Sequence, residues 1–549
     1  VRYKKTMTAG EAVFEVLKIE QVSRVFTVPG ESFLAVLDAL EGQDEIEVIV
    51  NRHEGGAGFM AEGYASLTGQ VGVAMATRGV GAANISIAVH TAFQDSTPMV
   101  VFLGQVNRSF KGREGFQEVD FGKNFNEVAK WTTEIDEASR VPELVQKAFR
   151  VAQTGRPGPV IVSLPEDMLF DEREMVFGPP TMIAAPAPAT IEVEDFARRF
   201  TKAERPIVIA GGGIHSDDAQ IALREFIEKF KLPLVSGFRR QGIIDNEHEA
   251  YIGHMGLAAA PKLVEHFKES DLVIAIGTRL SEATSQDYTL IGWDQQLVHI
   301  DIDADTLGKV YPPDLGIVAD SVNALKAFTA LDIDRDWSSW QHSCRESHQK
   351  LMDKEKDPSI YSHVMQTLNE TLPEDTIVTC DAGNFATWMH NQLVIRDRFS
   401  FVGPTNGAMG YGIPAAVGAK TASPHRPVVA FCGDGGAMMT IQEIETAVRH
   451  DYPIIVLLFN NQSYGTIRMH QEMHYPDKVV ATKLGEVDFA KMAESMGALG
   501  ITVTKKEEFT SAFEKAIHAN QTVLLDIQCS EEPYVSNGKT YEDVKGIKA

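Results

Sequence analysis

A chain of 549 residues is long enough for three or four domains and several apolar cores. Its formal charge of -25 leaves no basic excess to neutralise phosphates or anionic lipid, which argues against nucleic-acid and membrane-surface binding. Cys344, Cys380, Cys432 and Cys529 lie too far apart for a disulfide framework or a close-spaced zinc site, and read as reduced, buried thiols. The apolar runs stop well short of the ~20 residues of a spanning helix and no signal peptide is recognised, so a cytoplasmic location is expected.

Strand-type and helix-type segments alternate almost throughout, the pattern of parallel sheets covered on both faces. The expected fold class is α/β, with three doubly wound parallel-sheet domains over residues 1–175, 190–335 and 358–549. A proline- and alanine-rich stretch from Phe177 to Thr190 marks the first boundary, and a charged, helical stretch from Asp334 to Asp357 marks the second.

In the first domain, strands are expected at Val25 to Val28, Ile46 to Val50, Val71 to Ala76 and Met99 to Leu103. Asn51-Arg52-His53-Glu54 follows the second of these and leads through glycines into a helix from Phe59 to Leu67, which puts Glu54 at a strand's carboxyl end. A carboxylate buried there is costly unless it is protonated or hydrogen-bonded. On local grounds a helix cap and a chemical role are equal alternatives. In the middle domain, strands from Pro206 to Ala210, Asp271 to Ile276 and Leu297 to Asp303 are expected, the first two ending in Gly211-Gly212-Gly213 and Gly277. Such turns can cradle a phosphate, but the glycine spacing is not that of the dinucleotide fingerprint, which favours a structural turn.

The third domain holds the most chemistry. After a strand from Asp375 to Thr379, Thr405-Asn406-Gly407-Ala408-Met409-Gly410-Tyr411-Gly412-Ile413-Pro414 precedes an alanine-rich helix. A strand from Val428 to Phe431 then ends in Gly433-Asp434-Gly435, at the sheet edge where open α/β folds bind ligands. Thr440 and Glu443 have capping-box spacing, with Ile441, Ile444 and Val448 on one helical face. A strand from Pro453 to Phe459 returns to the same edge and delivers Asn461 beside Asp434. A carboxylate and an amide oxygen there suit Mg²⁺, which takes few protein ligands.

Together the Thr405–Pro414 segment, Gly433-Asp434-Gly435 and Asn460-Asn461 resemble the cofactor half of thiamine diphosphate enzymes, and Asn51–Gly58 resembles their glutamate motif. The similarity is closest to the acetolactate synthase catalytic subunit and related 2-oxo acid decarboxylases and carboligases. It extends over nearly the whole chain, through Pro29-Gly30, Ala61-Glu62-Gly63-Tyr64-Ala65, Pro98–Val101, Gly115-Phe116-Gln117-Glu118 and Lys130-Trp131. The resemblance implies pyrimidine-binding, central nucleotide-binding-like and diphosphate-binding domains, in that order. It implies that Glu54 bonds the aminopyrimidine ring of thiamine diphosphate and promotes the imino form that removes the thiazolium C2 proton. Phe116 and Gln117 would line the catalytic cavity. Met409 would wedge between the cofactor's rings, with the Gly407 carbonyl on its amino group. Gly383, Asn384, Gly433, Gly435 and Gly436 would hold the diphosphate, and Asp434, the Asn461 side chain and the Ser463 carbonyl would bind Mg²⁺. It further implies a homodimer or homotetramer with active sites at the subunit boundary, and leaves a regulatory subunit open.

Four positions depart from the family's pattern. His470 stands in place of an acceptor-pocket tryptophan, Thr466 in place of a methionine, and Phe385 in place of a polar residue. Arg78 replaces a small residue, where it either meets an anionic substrate or contacts a neighbouring backbone or acidic group. The run Leu280–Thr284 after Gly277-Thr278-Arg279 speaks against FAD, while Arg279 and His299–Asp303 keep FAD or another nucleotide as an alternative. The expected function is decarboxylation of a 2-oxo acid, by default pyruvate, and carboligation to a second carbonyl compound, by default giving acetolactate. A simple 2-oxo acid decarboxylase, a flavin-dependent pyruvate oxidase and a sulfoacetaldehyde acetyltransferase-like enzyme are the alternatives. Thr77 and Ser32, where some relatives place histidines, disfavour the first of these. A non-catalytic paralogue is disfavoured because Glu54, Asp434 and Asn461 are all present.

Overall fold

Runs such as Val73-Ala74-Met75-Ala76 are apolar on both faces of a strand, and strands of that kind must be covered on both sides. The computed structural model, which describes residues 1–353, 357–396 and 400–547, meets that requirement three times. Each of its three six-stranded sheets is parallel throughout and flanked by helices.

The amino-terminal sheet has the order β3-β2-β4-β5-β7-β6, from β2 (Arg24–Thr27), β3 (Glu47–Val50), β4 (Gly72–Thr77), β5 (Met99–Gln105), β6 (Trp131–Glu134) and β7 (Pro159–Pro165). Alternate residues feed opposite cores: Ala74, Ala76, Val101 and Leu103 enter one, and Val73, Met75, Val100 and Phe102 the other. Two strands with no counterpart in the sequence reading, β1 (Tyr3–Thr8) and β8 (Glu172–Phe177), pair antiparallel beside it. No helix or strand is formed over 178–189, which then enters the helix Thr190–Lys202.

The central sheet has the order β11-β10-β9-β12-β13-β14, built from β9 (Pro206–Ala210), β10 (Leu234–Ser236), β11 (Tyr251–His254), β12 (Leu272–Ile276), β13 (Gln296–Asp301) and β14 (Leu315–Val318). The carboxyl-terminal sheet has the order β16-β15-β17-β18-β20-β19, from β15 (Ile377–Cys380), β16 (Phe401–Val402), β17 (Val428–Gly433), β18 (Ile455–Asn460), β19 (Leu499–Val503) and β20 (Val523–Gln528). The charged stretch after Asp334 forms the helix Ser338–Asp353, and the remainder of that stretch, 354–356, lies outside the described residues.

The outer sheets meet through two helices. Glu54–Thr68 packs on Gly412–Ala422 so closely that a Cβ on Gly63 would lie 2.8 Å from the Ala415 Cα, and one on Gly418 would lie 2.1 Å from the Met60 carbonyl oxygen. Only glycine admits this approach. Phe59 meets Tyr411 edge to face at 5.3 Å, and the Tyr411 hydroxyl donates to the buried Glu62 carboxylate.

Three local expectations are corrected. The helix expected from Phe59 begins at Glu54, because the His53 ring accepts from the Gly55 amide and caps it five residues earlier. The capping box at Thr440 and Glu443 is not made: the Thr440 hydroxyl donates to the Gly410 carbonyl at 2.7 Å, and Glu443 turns toward residues 51–53. Cys344, Cys380 and Cys432 are buried free thiols, whereas Cys529 is only part-buried. No helix among the described residues is long and apolar enough to cross a membrane.

Candidate active site

In a doubly wound sheet, ligands bind outside the carboxyl ends of the strands where the strand order reverses. In the carboxyl-terminal sheet that point lies between β15 and β17. Gly383 and Asn384 follow β15, Asp434 follows β17, and β18 delivers Asn460 and Asn461 beside them through the register Gly433↔Phe459.

Asp434 is the first residue of the helix Asp434–Thr440 and is 5 % exposed. Burial pushes its carboxyl group up to about 6, against amide bonds from Gly435 and Gln462 that favour the ionised form. The Asn461 Oδ1 accepts from the Ser463 amide at 3.1 Å. The Asn460 Nδ2 donates to Asp526 at 3.0 Å, while its Oδ1 and the Ser463 Oγ are buried without a partner. Among the described residues no three His, Cys, Asp or Glu side chains cluster as a metal site, so a cation here relies on one acid with amide and carbonyl oxygens. That set suits a hard ion that keeps water and phosphate ligands.

The diphosphate-binding candidates surround the same edge. The Asn384 Oδ1 accepts from the Thr466 hydroxyl at 2.8 Å, and its Nδ2 is buried with no partner, a donor left for a ligand oxygen. A Cβ on Gly435 would sit 2.6 Å from the Tyr464 ring, and one on Gly436 would sit 2.8 Å from the Asp381 carboxylate. Gly383 has φ +155°, with the Phe385 ring beneath it. Phe385 is 6 % exposed and stacks on Phe459 at 5.4 Å, so the residue that departs from the polar pattern is core packing under the turn. Thr466 and His470 lie one turn apart on the helix Gly465–His474. His470 is exposed and stacked against His474 at 6.2 Å.

Met409 and Gly407 stand on a loop tied at both ends. The Thr405 amide donates to Asp95 at 2.7 Å, and the Gly410 amide donates to Asp381 at 3.0 Å. Between them Gly407 has φ +69° with open space around it, and Met409 is half-buried.

Glu54 belongs to a second group, at the carboxyl edge of the amino-terminal sheet. Its Oε2 accepts from Asn84 Nδ2 at 2.9 Å, and Asn84 lies on the helix Arg78–Asp95. Phe116 and Gln117 sit near that helix's start, Phe116 with 74 % of its surface exposed. Arg78 is paired with Glu166 at 2.6 Å and is 9 % exposed. Arg78 thus has the acidic neighbour that one of its two alternatives requires. No hydrogen bond among the described residues joins Glu54 directly to the Asp434 group.

One residue read in the sequence only as a helix cap ties the carboxyl-terminal domain to the Glu54 turn. Glu443 is fully buried, and its carboxylate accepts from the His53 amide at 3.0 Å, the Arg52 amide at 3.2 Å and Asn51 Nδ2 at 3.2 Å. A Cβ on Gly56 would come to 2.3 Å from it. The helix Glu443–Arg449 therefore docks on the turn that presents Glu54. Glu443 was hidden by its apparent capping role, and nothing local in the sequence marks Asn84 or Glu166.

A cavity of about 410 Å³ opens at the reversal point of the central sheet, lined by Gly211, Gly212, Gly213, Gly277, Arg240 and Arg279. The Arg279 guanidinium donates to the Gln94 carbonyl at 2.5 Å, and Arg240 donates to the Asp95 carbonyl at 3.3 Å, both at the end of the Arg78–Asp95 helix.

Three parallel sheets, with an unpartnered buried donor at the ligand-binding edge of one and a presented glutamate on another, define a doubly wound α/β protein with two ligand-facing edges. Residues 7–124 match the thiamine pyrophosphate enzyme N-terminal TPP binding domain, 193–328 the central domain and 381–527 the C-terminal TPP binding domain. The chain is 32 % identical over 543 residues to the probable acetolactate synthase large subunit of Methanocaldococcus jannaschii, covering 95 % of this chain and 92 % of that one. It is 31 % identical to the putative thiamine pyrophosphate-containing protein YdaP of Bacillus subtilis, covering 98 % and 95 %. It is 30 % identical to the acetolactate synthase isozyme 2 large subunit of Escherichia coli, covering 96 % of each. The chain belongs to the thiamine pyrophosphate enzyme family. Within it, this is a thiamine pyrophosphate-dependent carboligase or decarboxylase of acetolactate synthase-like type.

Proposed function

We propose that this enzyme uses thiamine diphosphate and Mg²⁺ to decarboxylate a 2-oxo acid, by default pyruvate, and to join the remaining two-carbon unit to a second carbonyl compound, as acetolactate synthases do. The observation that carries the reading is that buried Asp434 and the unpartnered Asn384 amide follow the two strands that flank one sheet-reversal point. Bound thiamine diphosphate supplies a thiazolium that accepts the electron pair left when CO₂ departs.

The chain's own residues do the rest. Asp434, the Asn461 side chain and the Ser463 carbonyl hold the cation. Asn384, Gly383 and the Gly433–Gly436 segment hold the diphosphate. Met409 and the Gly407 carbonyl would hold and orient the aminopyrimidine, a proximity contribution. Glu54 holds the proton at the pyrimidine ring, with Asn84 fixing its carboxylate. Phe116 and Gln117 cover the reacting carbonyl, while Thr466 and His470 border the acceptor. The domain limits 1–175, 190–335 and 358–549 serve these roles.

A cytoplasmic homodimer, or a homotetramer built from it, completes the site. In support, Val80 and Ile87 on the Arg78–Asp95 helix and Met438 and Met439 on the Asp434–Thr440 helix are exposed apolar side chains beside the two half-sites. The central cavity is where FAD or another nucleotide, the alternative the sequence disfavours, would bind, and FAD there would open an oxidative route.

Purified enzyme with thiamine diphosphate, Mg²⁺ and pyruvate should form acetolactate when acetolactate, acetaldehyde and peroxide are assayed together. Acetaldehyde without acetolactate sinks the carboligase reading, and peroxide would assign the flavin route. Glu443→Gln removes a charge-assisted acceptor from the Glu54 turn, a loss of roughly 1.5–3 kcal/mol. Turnover is expected to fall roughly tenfold or more while the cofactor Kd changes little. Undiminished turnover in a folded variant would remove Glu443 from the account.

A further inference from the structure

Phe116 and Gln117 lie on a loop whose backbone is costly to hold. Gln117 has φ +65° and Glu114 φ +54°, and Arg78, which starts the helix beside them, has φ +41°. Left-handed backbone of this kind costs a non-glycine residue on the order of 1–3 kcal/mol and persists where the surroundings over-determine it. The Gln117 carbonyl accepts from the Gly79 amide at 2.9 Å. The Glu118 carboxylate accepts from the Gly112 and Gly115 amides at 2.6 and 2.9 Å, and Gln105 Nε2 donates to the Val119 carbonyl at 2.8 Å. A Cβ on Gly79 would come within 2.5 Å of the Val119 side chain, so loop and helix are in direct contact.

Arg78 closes this arrangement. Its Nη2 lies 2.6 Å from Glu166 Oε2, with the arginine side chain 10 % exposed. Its guanidinium carbon lies 5.9 Å from the centre of the Phe116 ring, and Nη1 reaches the Phe116 carbonyl at 3.5 Å. Glu166 is itself fixed, its amide bonded to the Gln105 carbonyl at 3.1 Å. Gln105 thus supports both the loop and the acid that holds the arginine. The guanidinium meets a carboxylate through Nη2 and the residue it steadies through Nη1, while its Nε is buried without a partner.

We propose that Arg78, held by Glu166, is a positioning residue that fixes the Phe116–Gln117 loop and so sets the partition between carboligation and release of free aldehyde, rather than a ligand for a substrate carboxylate. This rests on the reading that Phe116 and Gln117 cover the reacting carbonyl. A planar fork between an acid and an aromatic face is geometry that lysine does not reproduce. The two explanations of Arg78 give opposite signs for its partner. If Arg78 steadies the loop, loss of either residue loosens the same segment. If it binds a substrate carboxylate, loss of Glu166 frees the cation and improves substrate binding.

The test uses the holoenzyme with thiamine diphosphate, Mg²⁺ and pyruvate, comparing Arg78→Gln, Arg78→Lys, Glu166→Gln and the Arg78→Gln/Glu166→Gln double variant. Amide hydrogen exchange over residues 112–119 reads the loop directly and does not depend on turnover. It should rise in all four, with the double variant no looser than Arg78→Gln alone. The acetolactate-to-acetaldehyde ratio should fall about threefold or more in each, with cofactor affinity unchanged. A lower KM for pyruvate in Glu166→Gln with a raised one in Arg78→Gln would overturn the proposal. So would unchanged exchange, and exchange that rises without any change in product ratio would overturn the partition role. Phe116→Ala separates the underlying reading: if it leaves the product ratio untouched, the assignment of that loop to the cavity fails, whatever Arg78 does.

Discussion

Glu54→Gln is expected to lower turnover by roughly 10³-fold, within the range spanned by positioned proton-transfer groups. Glutamine preserves length and shape, and its amide oxygen can still accept from Asn84, whose Nδ2 donates to the Glu54 carboxylate at 2.9 Å. The helix that begins at Glu54 is capped by His53, and the turn before it is held by Glu443, so the side chain should stay in position. What is lost is the acidic proton shared with the pyrimidine ring, and with it fast removal of the thiazolium C2 proton. Binding should survive, because the diphosphate and cation candidates lie on the other sheet edge, among Asn384, Asp434 and Asn461. The measurements are C2 proton exchange of the bound cofactor by quenched NMR, and cofactor Kd by calorimetry. Slow exchange with a Kd within about threefold of wild type fits the assigned role. Exchange at the wild-type rate would remove Glu54 from the chemistry, and a large rise in Kd would make it a binding residue instead.

The sequence was most readable where one strand dictates its own surroundings. β9 runs from Pro206 to Ala210 as expected, and most other expected strands shift by one or two residues, because a doubly buried apolar run bounded by glycine leaves little latitude. The three-sheet α/β plan was legible for the same reason. The pair β1 and β8 was not: Lys4-Lys5 and Glu172-Arg173-Glu174 are exposed and polar, so only pairing between distant segments makes them strands. In the site, the sequence named the residues that stand at sheet edges but not those that hold them. Glu443 carried a plausible local bond to Thr440, yet the fully buried carboxylate meets stronger acceptor duty at the amides of Arg52 and His53, 390 and more positions away. Arg78 left two readings open because Glu166, the acid that pairs with it, comes beside it only when β4 and β7 flank β5.

Asp434→Asn should weaken the cation-dependent binding of thiamine diphosphate roughly 100-fold, while making the cofactor-free protein more stable at neutral pH. The opposite signs follow from one fact. Burial raises the Asp434 carboxyl group from 3.8 to about 6, ahead of the amide bonds from Gly435 and Gln462 that oppose the shift. Below the unfolded value the group is protonated in both states and costs nothing. As pH rises toward about 6 the unfolded chain ionises first, so folding loses stability; above that the loss is complete, on the order of 3 kcal/mol. A cation beside Asp434 removes this penalty, and its binding must displace the proton. Affinity for Mg²⁺ should therefore fall about tenfold per pH unit below about 6 and be flat above it. Mg²⁺ titrations from pH 5 to 8, with melting curves of the cofactor-free wild type and Asp434→Asn, measure both effects. The variant should melt higher at pH 8 and equal wild type near pH 4. A cation affinity independent of pH, or an asparagine variant that melts lower at pH 8, would mean that the carboxylate is stabilised by the fold alone and does not wait for a metal.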